Sequence, residues 1–308
     1  MKKQLYVNLK EIESLAQKSM SLIEESYDKP SIPQLPIKKL STKAFINRIN
    51  AVYFNGKMND TQLKCVSLFS MSIMLMELAG KDMHYQYLSY MLATVYHETA
   101  FTMKSIEEYG KGEGRPYGEP DPRTGKVYYG RSYPQLTWYD NYAKATKELY
   151  SKNLVKGIVD FLNDPDLILE PYYGVQVTVF GMVGGWFTGK GLDDYWLDNG
   201  EYDYVNARRI INGTDKAQTI AGYAREAESA VLLAAGHDIH RETISVGDHG
   251  DDVRELQLVL GVEPDGIFGS GVTEPKLMAF QSEHDLNPDG ICGPATWKKI
   301  DVVIYGIK

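Results

Sequence analysis

Two hexapeptides near the C-terminus constrain this chain more than any other feature. Pro264-Asp265-Gly266-Ile267-Phe268-Gly269 and Pro288-Asp289-Gly290-Ile291-Cys292-Gly293 repeat after 24 positions. Each Asp-Gly pair specifies a tight turn, because glycine accepts a positive φ without steric cost. Helical patterns sit before and between the turns: Val253, Leu256 and Leu260, then Leu277, Phe280 and Gln281. The spacing predicts a small three-helix unit over 243–308. Charge changes at the same boundary. From Thr243 onward there are 11 acidic and 5 basic residues, within a whole-chain net charge of −8.

Upstream, the apolar periodicity is helical throughout. A helix is expected over 8–27, followed by a linker carrying Pro30, Pro33 and Pro36, so that residues 1–40 stand apart from the rest of the chain. Residues 41–240 then read as one larger helical domain. Ser41 is placed to cap a helix carrying Phe45, Ile49 and Val52. Asp60-Thr61 is placed to cap a long helix ending at Gly80, and Tyr85 to Thr99 gives the next. Residues 100–127 hold five glycines and few apolar anchors. That composition predicts a long loop with room for a strand, and long loops in compact domains are commonly functional. Helices are expected again from Tyr139, over the apolar run Tyr172–Phe187, and from a cap at Thr214 or Asp215 to Ala235. The fold class expected is mainly α.

Chemistry concentrates between Tyr96 and Tyr142. Glu98 closes the apolar helix and shares a face with Met91 and Val95. A carboxyl group against apolar surface has its ionised form disfavoured, which suits a general acid. Glu107 and Glu108 follow on the loop, and then a block of aromatics and amides from Tyr128 to Tyr142. Two carboxyl groups can supply acid and base across a glycosidic bond, while rings and amides hold sugar faces and hydroxyls.

The motifs His97-Glu98-Thr99, Tyr128-Tyr129-Gly130-Arg131, Gln135-Leu136-Thr137-Trp138 and Asn141-Tyr142 resemble the catalytic core of glycoside hydrolase family 19, the chitinase-type lysozymes, and within it the phage endolysin branch. The resemblance extends more weakly from about Phe45 to Leu233. It implies a lysozyme-like helical domain with Glu98 as acid and a loop glutamate as base. Glu108, which precedes Tyr109-Gly110, fits the pattern better than Glu107. It further implies that Thr137 holds the attacking water and that Tyr129, Gln135, Asn141 and Asn212 contact the sugar. Arg209 or Arg225 is the expected partner of a catalytic carboxylate, with Arg208 a third candidate. Ser132 departs from the family, which usually has a third glycine there. The segment Val253-to-Gly261, the two Asp-Gly turns, Ala279-to-His284 and Pro294-Ala295-Thr296-Trp297 resemble the peptidoglycan-binding module of cell-wall hydrolases.

Other functions find little support. An acidic chain does not suit a general nucleic-acid binder. The longest apolar run, Val66 to Leu78, is too short for a membrane span. The N-terminus lacks the apolar core of a signal peptide, so the chain is expected to be made in the cytosol and released by other means. Cys65 and Cys292 read as two buried free thiols. Gly184 to Lys190 resembles a phosphate loop, but Gly191 stands where Ser or Thr is needed. His237 and His240 lack the further ligands of a zinc site, so neither metal nor cofactor is expected. The expectation is a monomeric peptidoglycan glycan hydrolase acting by acid/base chemistry. The alternatives are a chitinase and a wall-binding virion protein with a weakened active site. The two parts are expected to be separable in function.

Overall fold

The computed structural model describes residues 37–151 and 159–307. The helix expected over 8–27 and most of the proline-rich linker lie outside them. The described chain is mainly α. Its helices are α1 (Thr42–Phe54), α2 (Asp60–Phe69), α3 (Ser72–Leu78), α4 (Tyr85–Glu98), α5 (Tyr139–Ser151), α6 (Pro171–Val183), α7 (Ala217–Ala234), α8 (Asp251–Leu260), α9 (Thr273–Glu283) and α10 (Pro294–Val303). Short 3-10 turns at Pro116–Gly118, Pro165–Leu169, Leu192–Tyr195 and Asn206–Ile210 lie between them.

The centre is α4. Residues 86–95 are all buried, the pattern of a helix with neighbours on every side. It packs along α7, which also carries α1. The face of α7 that receives them is a row of alanines, Ala221, Ala224, Ala227 and Ala230, all fully buried. Small side chains at this spacing let helix axes approach closely. The apolar α6 packs on α2, α3 and α5. Together these place the C-terminal end of α4, where Glu98 sits, at the edge of the core.

Several boundaries differ from those read in the sequence. The long helix expected to reach Gly80 breaks at Ser70–Met71, where the Ser70 hydroxyl donates to the Ser67 carbonyl at 2.6 Å. Such back-bonding competes with the helical ladder. Its N-terminus is capped by Asn59 rather than Asp60 or Thr61, in a reciprocal capping box with Gln62. The cap expected at Thr214 or Asp215 is absent. Lys216 precedes α7 with φ +58°, and the Asp215 carbonyl is taken by Arg208. The loop after α4 holds only isolated bridges, Glu107 to Arg131 and Arg131 to Leu136. Both cysteines are free and buried, and burial pushes the Cys65 thiol up to about 12.

The internal repeat is a structural repeat. In each copy one buried glutamine ties down the Asp-Gly turn. Gln257 donates to Asp265 at 2.7 Å, to the Ile267 carbonyl at 3.1 Å and to Thr273 at 3.2 Å, and accepts from the Gly266 amide at 2.8 Å. Gln281 repeats the set with Asp289 at 2.9 Å, Ile291 at 2.9 Å, Thr296 at 3.3 Å and Gly290 at 3.0 Å. Gly266 and Gly290 take φ +77° and +72°.

The small unit is docked on the large one. Arg48 of α1 reaches Asp252 at 2.5 Å and Glu255 at 2.9 Å on α8, and its Nε donates to Ser229 of α7 at 3.2 Å. Glu255 is completely buried. Arg241 donates to its other oxygen at 3.3 Å and Tyr305 does so at 3.1 Å. Buried carboxylates persist only when so satisfied. The first repeat turn lies on the α1–α2 loop. A Cβ on Gly56 would stand 2.5 Å from Pro264, so that position needs glycine for both space and its φ of +78°.

Candidate active site

The site is built where the end of α4 meets two irregular segments, 99–138 and 206–215. Glu98 is the last residue of α4. Its carboxylate does not rest on apolar surface alone: Arg208 Nη1 donates to Glu98 Oε1 at 2.5 Å, with Arg208 3% and Glu98 20% exposed at the side chain. Arg208 is oriented in turn by its Nε–H bond to the Asp215 carbonyl at 2.9 Å. The pairing therefore falls on Arg208, not on Arg209 or Arg225. A buried guanidinium needs an anionic partner, and Glu98 supplies it.

Glu107 and Glu108 lie side by side in the bridge to 130–131, with separate partners. The Tyr129 hydroxyl donates to Glu107, and Lys111 lies 3.4 Å from its other oxygen. The Tyr129 hydroxyl, and after it Lys111, holds the Glu107 carboxyl below its ordinary value. Glu108 accepts from the Tyr117 hydroxyl at 2.9 Å and from the Gly130 amide at 3.0 Å. Its own N–H donates to the Gly130 carbonyl at 2.6 Å. A Cβ on Gly130 would stand 2.8 Å from Gln135 Oε1 and 3.2 Å from the Glu108 side chain. Glycine there is what lets the two segments close up.

Arg131 holds the aromatic block together. It is 4% exposed, stacks on the Tyr129 ring at 3.6 Å and donates to Asp166 at 2.9 Å, to the Val127 carbonyl at 3.0 Å and to the Tyr142 hydroxyl at 3.2 Å. In the sequence it stands out only as one letter of a motif. Ser132 adopts φ +70°, so the position that departs from glycine keeps the left-handed backbone a glycine would favour. It is accommodated by Gly174 of α6, where a Cβ would meet the Ser132 hydroxyl at 2.4 Å.

The remaining expected residues fall into two groups. Gln135 and Asn141 border the segment that carries Tyr129. The Gln135 amide donates to the Ser132 carbonyl at 2.9 Å and the Ile106 carbonyl at 3.3 Å. Asn141 donates to the Thr137 carbonyl at 2.9 Å, and the Thr137 side chain is half-buried. Asn212 lies on the segment that carries Arg208, exposed, with its side-chain oxygen accepting from the Gly213 amide at 2.8 Å. Tyr117 is not marked as a site residue by any sequence pattern, and the half-exposed Trp138 only as the last letter of the 135–138 motif. Their rings meet edge to face at 5.4 Å.

Residues 249–300 match a family model described as "Putative peptidoglycan binding domain". A zinc D-Ala-D-Ala carboxypeptidase of Streptomyces albus G is 41% identical over 66 residues, 19% of this chain and 26% of that protein, so the match spans about a quarter of its length. Among solved structures, chitinase C from Streptomyces griseus HUT6037 is 18% identical with a TM-score of 0.43, covering 70% of this chain and 83% of that one. A chitinase C mutant is 17% identical with a TM-score of 0.39, covering 64% and 96%. An uncharacterized protein of Kitasatospora aureofaciens is 39% identical over 94 residues, 27% of this chain and 75% of that protein. At that identity, over three quarters of the relative, this chain belongs to the family of the Kitasatospora aureofaciens protein.

Proposed function

We propose that the protein is a glycoside hydrolase of the family 19 type that cleaves the glycan strands of peptidoglycan, with residues 243–308 holding it on the wall. The observation that carries this reading is the arrangement at the end of α4. One glutamate, Glu98, is fixed by a buried arginine, and two more on the adjoining loop are each oriented by a tyrosine hydroxyl. The match of residues 249–300 supports peptidoglycan as the polymer.

In this reading Glu98 protonates the leaving glycosidic oxygen. Glu108 removes a proton from a water held by the Thr137 hydroxyl, with Glu107 as the alternative base. Attack by water from the face opposite the leaving group inverts the anomeric centre. Tyr129, Gln135, Asn141 and Asn212 hold the sugar. Gln135 supports this with its amide nitrogen tied to two carbonyls, which turns its oxygen toward Gly130 and the Glu108 side chain. The protein works as a monomer, as a phage-type lysozyme made in the host cytoplasm that reaches the wall at lysis.

Mass spectrometry of purified peptidoglycan digested by the wild type and by Glu98→Gln tests the reading. New reducing ends at N-acetylmuramic acid, made by the wild type and not by the variant, establish a muramidase. Ends at N-acetylglucosamine shift the bond cleaved. No glycan cleavage by folded wild-type protein rejects the proposal.

A further inference from the structure

The backbone between Glu98 and Trp138 runs against its own sterics more than any other stretch among the described residues. Seven of the ten non-glycine residues with positive φ lie there. Such conformations are disfavoured for residues with a Cβ, and they gather at ligand sites. Three of them fall at every third position: Ser132 at +70°, Gln135 at +53° and Trp138 at +71°. Local packing accounts for the first two. Ser132 is buried against Gly174, and Gln135 turns its amide back onto two carbonyls.

Trp138 has no such compensation. It is 49% exposed, and a glycine would take the same backbone without strain. Its amide donates to the Tyr128 carbonyl at 2.9 Å, and its carbonyl receives the Asn141 and Tyr142 amides at the start of α5. The base of the residue is thus fixed while its indole faces outward. The ring of Tyr117 meets it at 5.4 Å and 74°. The Tyr117 hydroxyl donates to Glu108 at 2.9 Å. Tyr117 therefore stands one hydrogen bond away from a carboxylate of the site, and Trp138 is joined to it through the Tyr117 ring.

We infer that Trp138 and Tyr117 form a sugar-binding subsite that takes the C–H face of an N-acetylhexosamine ring beside the bond to be cleaved. This rests on the function proposed above and assigns a substrate contact to it. An aromatic face is electron-rich and attracts polarised C–H groups, and a rigid ring loses little freedom on binding. The surface around the pair is polar, with Arg115, Glu119 and Asp140 exposed. Polar neighbours beside an exposed ring suit a sugar, which offers hydroxyls at its edge and C–H groups on its face. Trp138 contributes binding and leaves proton transfer to the carboxylates.

The test uses the full chain with N-acetylglucosamine oligomers and with solubilised peptidoglycan glycan strands. Trp138→Gly removes the ring and relieves the backbone, so the variant keeps its fold. Its KM is expected to rise about tenfold, the scale of one aromatic contact, with kcat changed less than about twofold. Binding of the oligomers weakens by the same factor, and Trp138→Phe restores most of the loss. If Trp138→Gly keeps wild-type KM and affinity on substrates the wild type cleaves, the subsite is rejected and the proposed function stands. A folded wild type that neither binds nor cleaves either glycan overturns both.

Discussion

Arg208 and Glu98 meet across 110 positions of sequence, and their 2.5 Å contact joins the end of α4 to the turn before α7. The guanidinium is spent in two directions, on the carboxylate and on the Asp215 carbonyl. Neither segment can shift without breaking one of these bonds, so the position of Glu98 is set by a residue that local pattern could not separate from Arg209 and Arg225.

Glu98→Gln is expected to remain folded by circular dichroism but to melt at a lower temperature, because the buried Arg208 loses its anionic partner, and to lower turnover on peptidoglycan by about 10²-fold or more, the range of a general acid. Arg208→Lys keeps a charge but has no second N–H fork with which to serve both partners. It should lower kcat well below wild type while remaining folded by circular dichroism. A fully active Arg208→Lys would show that the fork is not needed to set Glu98.

For the second carboxylate, Glu108→Gln should abolish cleavage, while Glu107→Gln should retain a substantial fraction. The opposite outcome moves the base to Glu107. Each comparison is made on purified peptidoglycan with reducing ends counted.

Because the Tyr129 hydroxyl and Lys111 hold Glu107 below its ordinary value, the folded state binds this proton less readily than the unfolded chain does. The stabilisation it lends is present above the unfolded value and disappears as pH falls through the folded one, in the acid range below about pH 4. Tyr129→Phe removes the largest contribution. Carboxyl NMR titration should show the Glu107 midpoint move up in that variant. A midpoint left in place would show that the hydroxyl does not act on Glu107.

In the C-terminal unit, Gln257→Leu and Gln281→Leu should each destabilise by about 1–3 kcal/mol, because the change leaves a buried glycine amide and carbonyl-side partners unsatisfied. Denaturant unfolding of the full chain checks this. Near-equal losses from the two variants would reflect the near-equal networks around the two turns.

At the junction, Gly56→Ala places a Cβ against Pro264 and on a left-handed backbone. It should loosen the docking of the small unit. The expected reading is faster proteolysis between Gly236 and Thr243 and a larger radius of gyration by X-ray scattering, with catalysis on soluble glycan unchanged. An unchanged radius and unchanged cleavage would show that the contact does not hold the units together.

How far each feature was legible in the sequence depends on the range over which its signal acts. The helix ending at Glu98 was legible because its apolar residues recur at helical spacing. The Asp-Gly repeat was legible because glycine at positive φ leaves a mark in composition. The break at Ser70 left none, since apolar residues run through it and the deciding bond is one serine hydroxyl. Arg208, Arg209 and Arg225 could not be separated by pattern, as only the fold decides which one faces α4. The glutamines of the repeat looked like ordinary helix residues until their turns closed on them. Trp138 read as part of a motif, and only its backbone angle and exposure set it apart.

The Arg48–Glu255 junction changes how such a protein would explore its substrate. A domain on a slack tether sweeps a volume, and its partner samples many bonds from one anchoring point. Here α1 and α8 share buried charges, so the candidate site keeps one height and one bearing relative to residues 243–308. Under the function proposed, each landing on the wall then offers only the strands at that offset. Progress across the polymer depends on release and rebinding of the whole molecule, so residence time on the wall sets the pace of lysis.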